Sequence, residues 1–180
     1  GDIRPFFALG GGLAARGHEV TIVTASVDDK DYAALAAALG VKYVRFVDRL
    51  DLDFDYFRER FYKTRNSVKL LRELLDEGFF PYVGRLSELA KSLCETCDVT
   101  VGHFFMYPLK AAAAKANVPY ASVTLCHALA PTAYRPPARM PDLGRTLNRL
   151  EWEVVQWLLD FVLKKTVKTF WDNEGLAPFR

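Results

Sequence analysis

The sequence predicts an α/β fold, a doubly wound parallel sheet with helices packed on its faces. Three observations predict it. Short, nearly continuous apolar runs bounded by turn residues recur at residues 19–24, 98–102 and 119–125, the pattern of strands buried on both faces. A fourth run, residues 42–47, alternates more and suits a strand nearer the sheet edge. Helix-favouring segments separate the runs, as parallel crossovers require.

The elements follow in order. Residues 1–5 read as an acidic loop, and residues 6–16 as a helix leading into the first run. Gly10, Gly11, Gly12 and Gly17 can be scanned as a loose dinucleotide fingerprint. That fingerprint follows a strand and opens a helix, whereas these glycines sit late in a helix and precede a strand. They therefore read as close packing of a helix on the sheet, with Gly17 as its C-cap. Residues 31–39 are alanine-rich and closed by Gly40, a helix with a left-handed cap. Residues 48–90 differ, with an acidic, aromatic stretch at 51–57 leading into leucine-rich residues 68–75; they read as a helical insertion. A short helix over 108–116 ends at Val118-Pro119, and residues 131–141 form a proline-rich loop. Long loops in compact domains are usually functional or disordered. Residues 145–173 form a long helix with an apolar face through Leu147, Leu150, Val154, Leu158, Phe161 and Val162, ending at Gly175. Leu176-Ala177-Pro178 reads as the start of a linker. A doubly wound sheet normally opens with a strand before its first loop. The expectation is thus one domain, residues 1–180, lacking its first strand and followed by a partner domain.

Composition narrows the function. The chain has 180 residues, 51% hydrophobic and 26% charged, an ordered globular composition with room for one core. Its net charge of +2, with both signs interspersed, argues against a nucleic-acid partner. The longest tempting apolar run, residues 152–163, is broken by Glu153, Gln156 and Asp160 and is too short to span a bilayer. Without a signal-like leader the expected location is cytoplasmic. Trp152, Trp157 and Trp171 leave a peripheral membrane contact open beside simple packing, which the interrupting acids favour. Cys94 and Cys97 have the spacing of a redox or zinc half-site, but they close a helix before a strand rather than opening one after it. They read as ordinary reduced cysteines.

Among candidate site residues, Asp2 has two readings. It can cap the following helix, with Pro5 fixing the first turn, and spacing alone favours this. It can also serve as a general base, since a carboxylate at the carboxyl end of a parallel sheet faces the ligand crevice. His18 lies on a turn and reads as a surface or capping residue. His103 and His127 end predicted parallel strands, where they line a pocket or fill structure. No metal-ligand spacing links the three histidines, and no nucleophile elbow appears.

The residues Gly1-Asp2-Ile3-Arg4-Pro5-Phe6-Phe7-Ala8-Leu9, followed by Leu13-Ala14-Ala15-Arg16-Gly17-His18-Glu19-Val20-Thr21, resemble the start of GT-B glycosyltransferases of the sterol glucosyltransferase and glycopeptide-antibiotic glycosyltransferase kind, within the UDP-glycosyltransferase superfamily. Asp98-Val99-Thr100-Val101, residues 113–119 and Glu174-Gly175-Leu176-Ala177-Pro178 resemble later landmarks of the same N-terminal domain. The likeness is weakest over residues 48–89.

The resemblance implies a Rossmann-like acceptor-binding half of a two-domain enzyme. The missing C-terminal half would hold most of the donor, a UDP- or dTDP-linked sugar such as UDP-glucose, and its histidine-containing diphosphate motif. The implied reaction is inverting hexosyl transfer to a hydroxyl of a lipophilic acceptor: a sterol, a lipid, or a polyketide or peptide aglycone. Asp2 maps onto the family's proposed base. Phe6, His103, Phe104, His127 and the aromatic insertion around residues 54–61 would line the acceptor pocket. The donor is a co-substrate; no cofactor or metal is expected, and this half alone is expected to be inactive. The alternative is a non-catalytic domain that binds a hydrophobic ligand. A nicotinamide-dependent oxidoreductase would need a fingerprint directly after a strand, which is not seen.

Overall fold

The computed structural model describes residues 3–25, 30–47, 53–63, 67–125, 130–137 and 140–176. The chain is α/β, its strands forming two short parallel pairs, and it divides into two compact units, Gly1–Pro81 and Tyr82–Arg180.

The first unit opens with α1, Ile3–Ala14. Residues 3–5, expected in a loop, are thus helical. Pro5 is tolerated because the first N–H groups of a helix have no intrahelical partner to lose. Strand β1, Thr21–Ala25, follows, then α2, Ala33–Leu39, and β2, Lys42–Val47. The α2 helix starts two residues later than its sequence suggests because the Asp31 carboxylate accepts the Ala33 N–H at 2.9 Å, which draws Asp31 into the turn ahead of the helix. Gly40 closes α2 at φ 67°, the left-handed region that glycine enters without penalty. Strands β1 and β2 pair in parallel, Ile22 opposite Tyr43 and Val23 opposite Val44.

Phe7, Ile22, Ala36 and Val41 form this unit's core. Phe7, 1% exposed, stacks on Tyr32 at 5.4 Å and meets Tyr43 at 5.9 Å. Two glycines let α1 approach closely. A Cβ on Gly10 would lie 2.8 Å from Ile22 Cδ1, and one on Gly11 would lie 2.8 Å from Leu39 Cδ2. Gly10 therefore packs on the sheet, as its position before a strand implied, whereas Gly11 packs on α2 and Gly12 is exposed. Beyond β2 lie α3, Phe54–Lys63, and α4, Ser67–Gly78, so this part of the expected insertion is helical.

The second unit contains α5, Val83–Cys94, β3, Thr100–His103, α6, Tyr107–Ala116, β4, Tyr120–Val123, and α7, Arg145–Asn173. Strands β3 and β4 pair in parallel from Thr100 opposite Tyr120 to His103 opposite Val123. Both pairs thus enclose a helix, giving the units β1-α2-β2 and β3-α6-β4. The small residues Ala90, Cys94, Ala112 and Ala113 bury together between α5 and α6. Asn117 ends α6 at φ 56°, a conformation asparagine tolerates better than most non-glycine residues.

The α7 helix matches residues 145–173 as read from sequence. Trp152 and Trp171 are buried: the Trp152 indole donates to the Arg135 carbonyl at 2.8 Å, and Lys110 lies 5.9 Å from the Trp171 ring. Trp157 differs. It is 64% exposed and stacks on Phe161, itself 74% exposed. Two of the three tryptophans therefore pack, while the third stands on an apolar stripe with Leu150 and Val154 that remains in contact with solvent. No helix among the described residues is long and apolar enough to cross a membrane.

Candidate functional site

The carboxyl end of β3 is the best-defined candidate site. The strand stops at His103, and the chain turns through Phe104-Phe105-Met106 into α6. Three bonds fix this turn. The Phe104 N–H donates to the Val123 carbonyl at 3.1 Å, while the His103 carbonyl accepts the Met106 N–H at 2.8 Å and the Tyr120 hydroxyl at 3.2 Å. Pro108 in the first turn of α6 pre-sets the backbone where N–H groups would lack helical partners.

The turn displays aromatic side chains. His103 and Phe104 have ring centroids 4.3 Å apart, tilted by 43°, and Phe104 is 45% exposed. Behind them Phe105 meets Phe104 and Tyr107 edge-on, and Tyr107 meets Phe170 of α7 at 5.0 Å. Burial pushes the Tyr107 hydroxyl up to about 12 and raises that of Tyr120. Both phenols stay neutral near pH 7. The result is an imidazole and an exposed ring on a rigid base, able to stack an apolar ligand face and offer one polar contact.

Gly102 makes the close pairing behind this turn possible. A Cβ there would meet the Tyr120 hydroxyl at 2.8 Å and Leu109 Cδ2 at 3.1 Å. A side chain would displace the phenol that holds the His103 carbonyl.

The proline-rich loop before α7 is tied down by a buried amide. Asn148, 1% exposed, accepts the Leu143 N–H at 3.1 Å and donates to the Asp142 carboxylate at 2.9 Å and the Ala133 carbonyl at 3.4 Å. The Asn148 amide, and then the Gly144 N–H, hold the Asp142 carboxyl below its usual range. At the far end of α7, Glu174 accepts from Lys115 at 2.5 Å and Lys91 at 3.1 Å. Those lysines sit in the last turns of α6 and α5. Sequence reasoning did not single out Asn148 or predict this role for Glu174. For Asn148 the available signal was an amide in a helix just after Asp142-Leu143-Gly144.

The other expected site residues fall as follows. Phe6 is half-buried on α1 in the first unit. Asp2 and His127 lie outside the described residues, so His103 and Phe104 are the expected pair brought together. The 54–61 segment forms most of α3, along which an open depression of about 540 Å³ is lined by Asp53, Asp55, Tyr56, Arg58 and Glu59. That lining is mainly charged rather than apolar. Among the described residues, no three His, Cys, Asp or Glu side chains gather as a metal site. No protein-family model matches the chain, and no curated protein matches it.

Proposed function

We propose that the chain is the acceptor-binding half of an inverting GT-B glycosyltransferase, its strands belonging to a Rossmann-like doubly wound sheet. The observation that carries the proposal is the order and spacing of Gly1-Asp2-Ile3-Arg4-Pro5 and Leu13 to Thr21. Its support is the close packing of α1 on β1 at Gly10, the two parallel strand–helix–strand units, and the aromatic turn at the carboxyl end of β3.

In this reaction the acceptor hydroxyl gives its proton to the Asp2 carboxylate as its oxygen attacks the anomeric carbon. The bond from that carbon to the donor diphosphate breaks, and the nucleoside diphosphate leaves with inversion. His103 and Phe104 orient the lipophilic acceptor, Phe104 by stacking and His103 by one hydrogen bond.

The test is transfer of radiolabelled hexose from UDP- and dTDP-sugars to a panel of sterols and polyketide aglycones, using the protein joined to its donor domain. Asp2→Asn is expected to lower turnover by about two to four orders of magnitude while leaving the circular dichroism spectrum unchanged. The chain of residues 1–180 alone is expected to bind acceptor without transferring sugar. Near-normal turnover by Asp2→Asn would overturn the base assignment. Absence of transfer across the whole panel by the unmutated protein would overturn the proposed reaction.

A further inference from the structure

We propose that Cys94 and Cys97 form a redox modification site in which oxidised glutathione converts the two thiols into an intramolecular disulfide. The geometry comes from the end of α5. Cys94 is its last residue, Glu95 keeps helical angles at φ −69° and ψ −22°, and the Glu95 and Thr96 N–H groups bond back to the Lys91 and Leu93 carbonyls at 3.3 and 3.2 Å. Glu95 and Thr96 thus continue the helical turn, and the Cys97 side chain that follows lies within hydrogen-bond reach of the Cys94 thiol. Two positions three apart in such a turn have Cα atoms about 5–6 Å apart, within the range of roughly 4.4–6.8 Å that a disulfide spans.

The two thiols differ in access. Cys94 is 4% exposed and packs with Ala90, Ala112 and Ala113, whereas Cys97 is half-buried just beyond the helix. This asymmetry sets an order of events. The Cys97 thiolate attacks one sulfur of oxidised glutathione, expelling one glutathione thiolate and leaving a mixed disulfide at Cys97. Cys94 then gives up its proton and attacks the Cys97 sulfur, expelling the second glutathione. Two protein thiols are oxidised and one glutathione disulfide is reduced. Burial, then the nearby Cys97 side chain, pushes the Cys94 thiol up to about 11. The second step therefore quickens as pH rises.

The experiment uses the full chain with its third cysteine replaced, Cys126→Ser, incubated with glutathione buffers stepped from reduced to oxidised and analysed by intact mass and peptide mapping. The expected product has lost two hydrogens and links Cys94 to Cys97. Its formation from the mixed disulfide should speed up about tenfold per pH unit between pH 7 and 9. Cys94→Ala, a small change in an alanine-lined site, should stop at a glutathione adduct on Cys97. Cys97→Ser should leave Cys94 unmodified in the folded chain. A lasting adduct on Cys97 with Cys94 present, or two thiols that stay reduced in oxidised glutathione, would overturn the proposal.

Discussion

At the scale of single residues, Asn148 shows how a buried polar group earns its place. Its amide sits on the face of α7 that meets the preceding loop, and both its donor and its acceptor atoms find partners there. Removing the amide strands the Leu143 N–H as well as the Ala133 carbonyl, and an unsatisfied buried group costs more than a hydrogen bond contributes. Asn148→Ala is therefore expected to destabilise the chain by about 1–3 kcal/mol. The urea midpoint should fall at unchanged slope; a midpoint within error of the unmutated protein would show that water replaces the amide. Little of this was legible beforehand, because a lone asparagine in a helix is compatible with a solvated face. Its burial depends on Ala133, Asp142 and Leu143 lying against α7.

Among the elements, α1 separates glycines that look alike in sequence. Gly11 faces α2, where an added Cβ would lie 2.8 Å from Leu39 Cδ2 and 3.3 Å from Leu39 Cβ. The latter atom cannot swing away without moving the helix. Gly12, one position on, is exposed, and the nearest atom to an added Cβ is the flexible Arg16 guanidinium at 3.9 Å. Gly11→Ala is expected to cost about 1–3 kcal/mol through overpacking. Gly12→Ala should instead stabilise by about 0.5–1 kcal/mol, because alanine loses less backbone entropy in a helix. Paired thermal melts check the contrast, and equal shifts for both would contradict the packing of α1 on α2. Sequence located a glycine-rich helix on a sheet. Which glycine carries the contact was set by the rotation of α1 about its axis, which no local pattern encodes.

At the scale of the whole molecule, two units each build a parallel strand pair around a helix, and in the second unit one carboxylate joins three helices. Glu174, just past α7, holds Lys115 and Lys91 at the carboxyl ends of α6 and α5. The lysines also suit the negative ends of those helices. The Lys115 hydrogen bond first, and then Lys91, lower the Glu174 pKa against the opposing effect of burial. The unfolded chain therefore takes up this proton at higher pH than the folded chain does. The contribution is fully present above the unfolded-state pKa and is lost as pH falls through the depressed folded-state value. With both lysines partly solvated, it amounts to about 1 kcal/mol. Glu174→Gln is expected to lower the melting temperature at pH 7 and to flatten its fall between about pH 5 and 3. An acid limb as steep as that of the unmutated chain would contradict the role.

The sequence by itself determined the α/β class, the four strand segments to within about two residues, the left-handed caps at Gly40 and Gly175, and the long final helix. These rest on local causes: hydrophobic period, helix propensity and backbone freedom. It also placed His103 and Phe104 at a strand end, where the structure brings them into contact. The tertiary structure alone decided what depends on residues far apart in the chain. It assigned Gly10 to Ile22 and Gly11 to Leu39, buried Trp152 and Trp171 while leaving Trp157 in solvent, and gave Glu174 its two lysines. The start of α1 also moved to Ile3, ahead of the segment read as helix, with Pro5 in the first turn. The physical reason is common to all of these. A periodic pattern marks a face suited to burial, but only the packed chain shows whether it is covered, and against what.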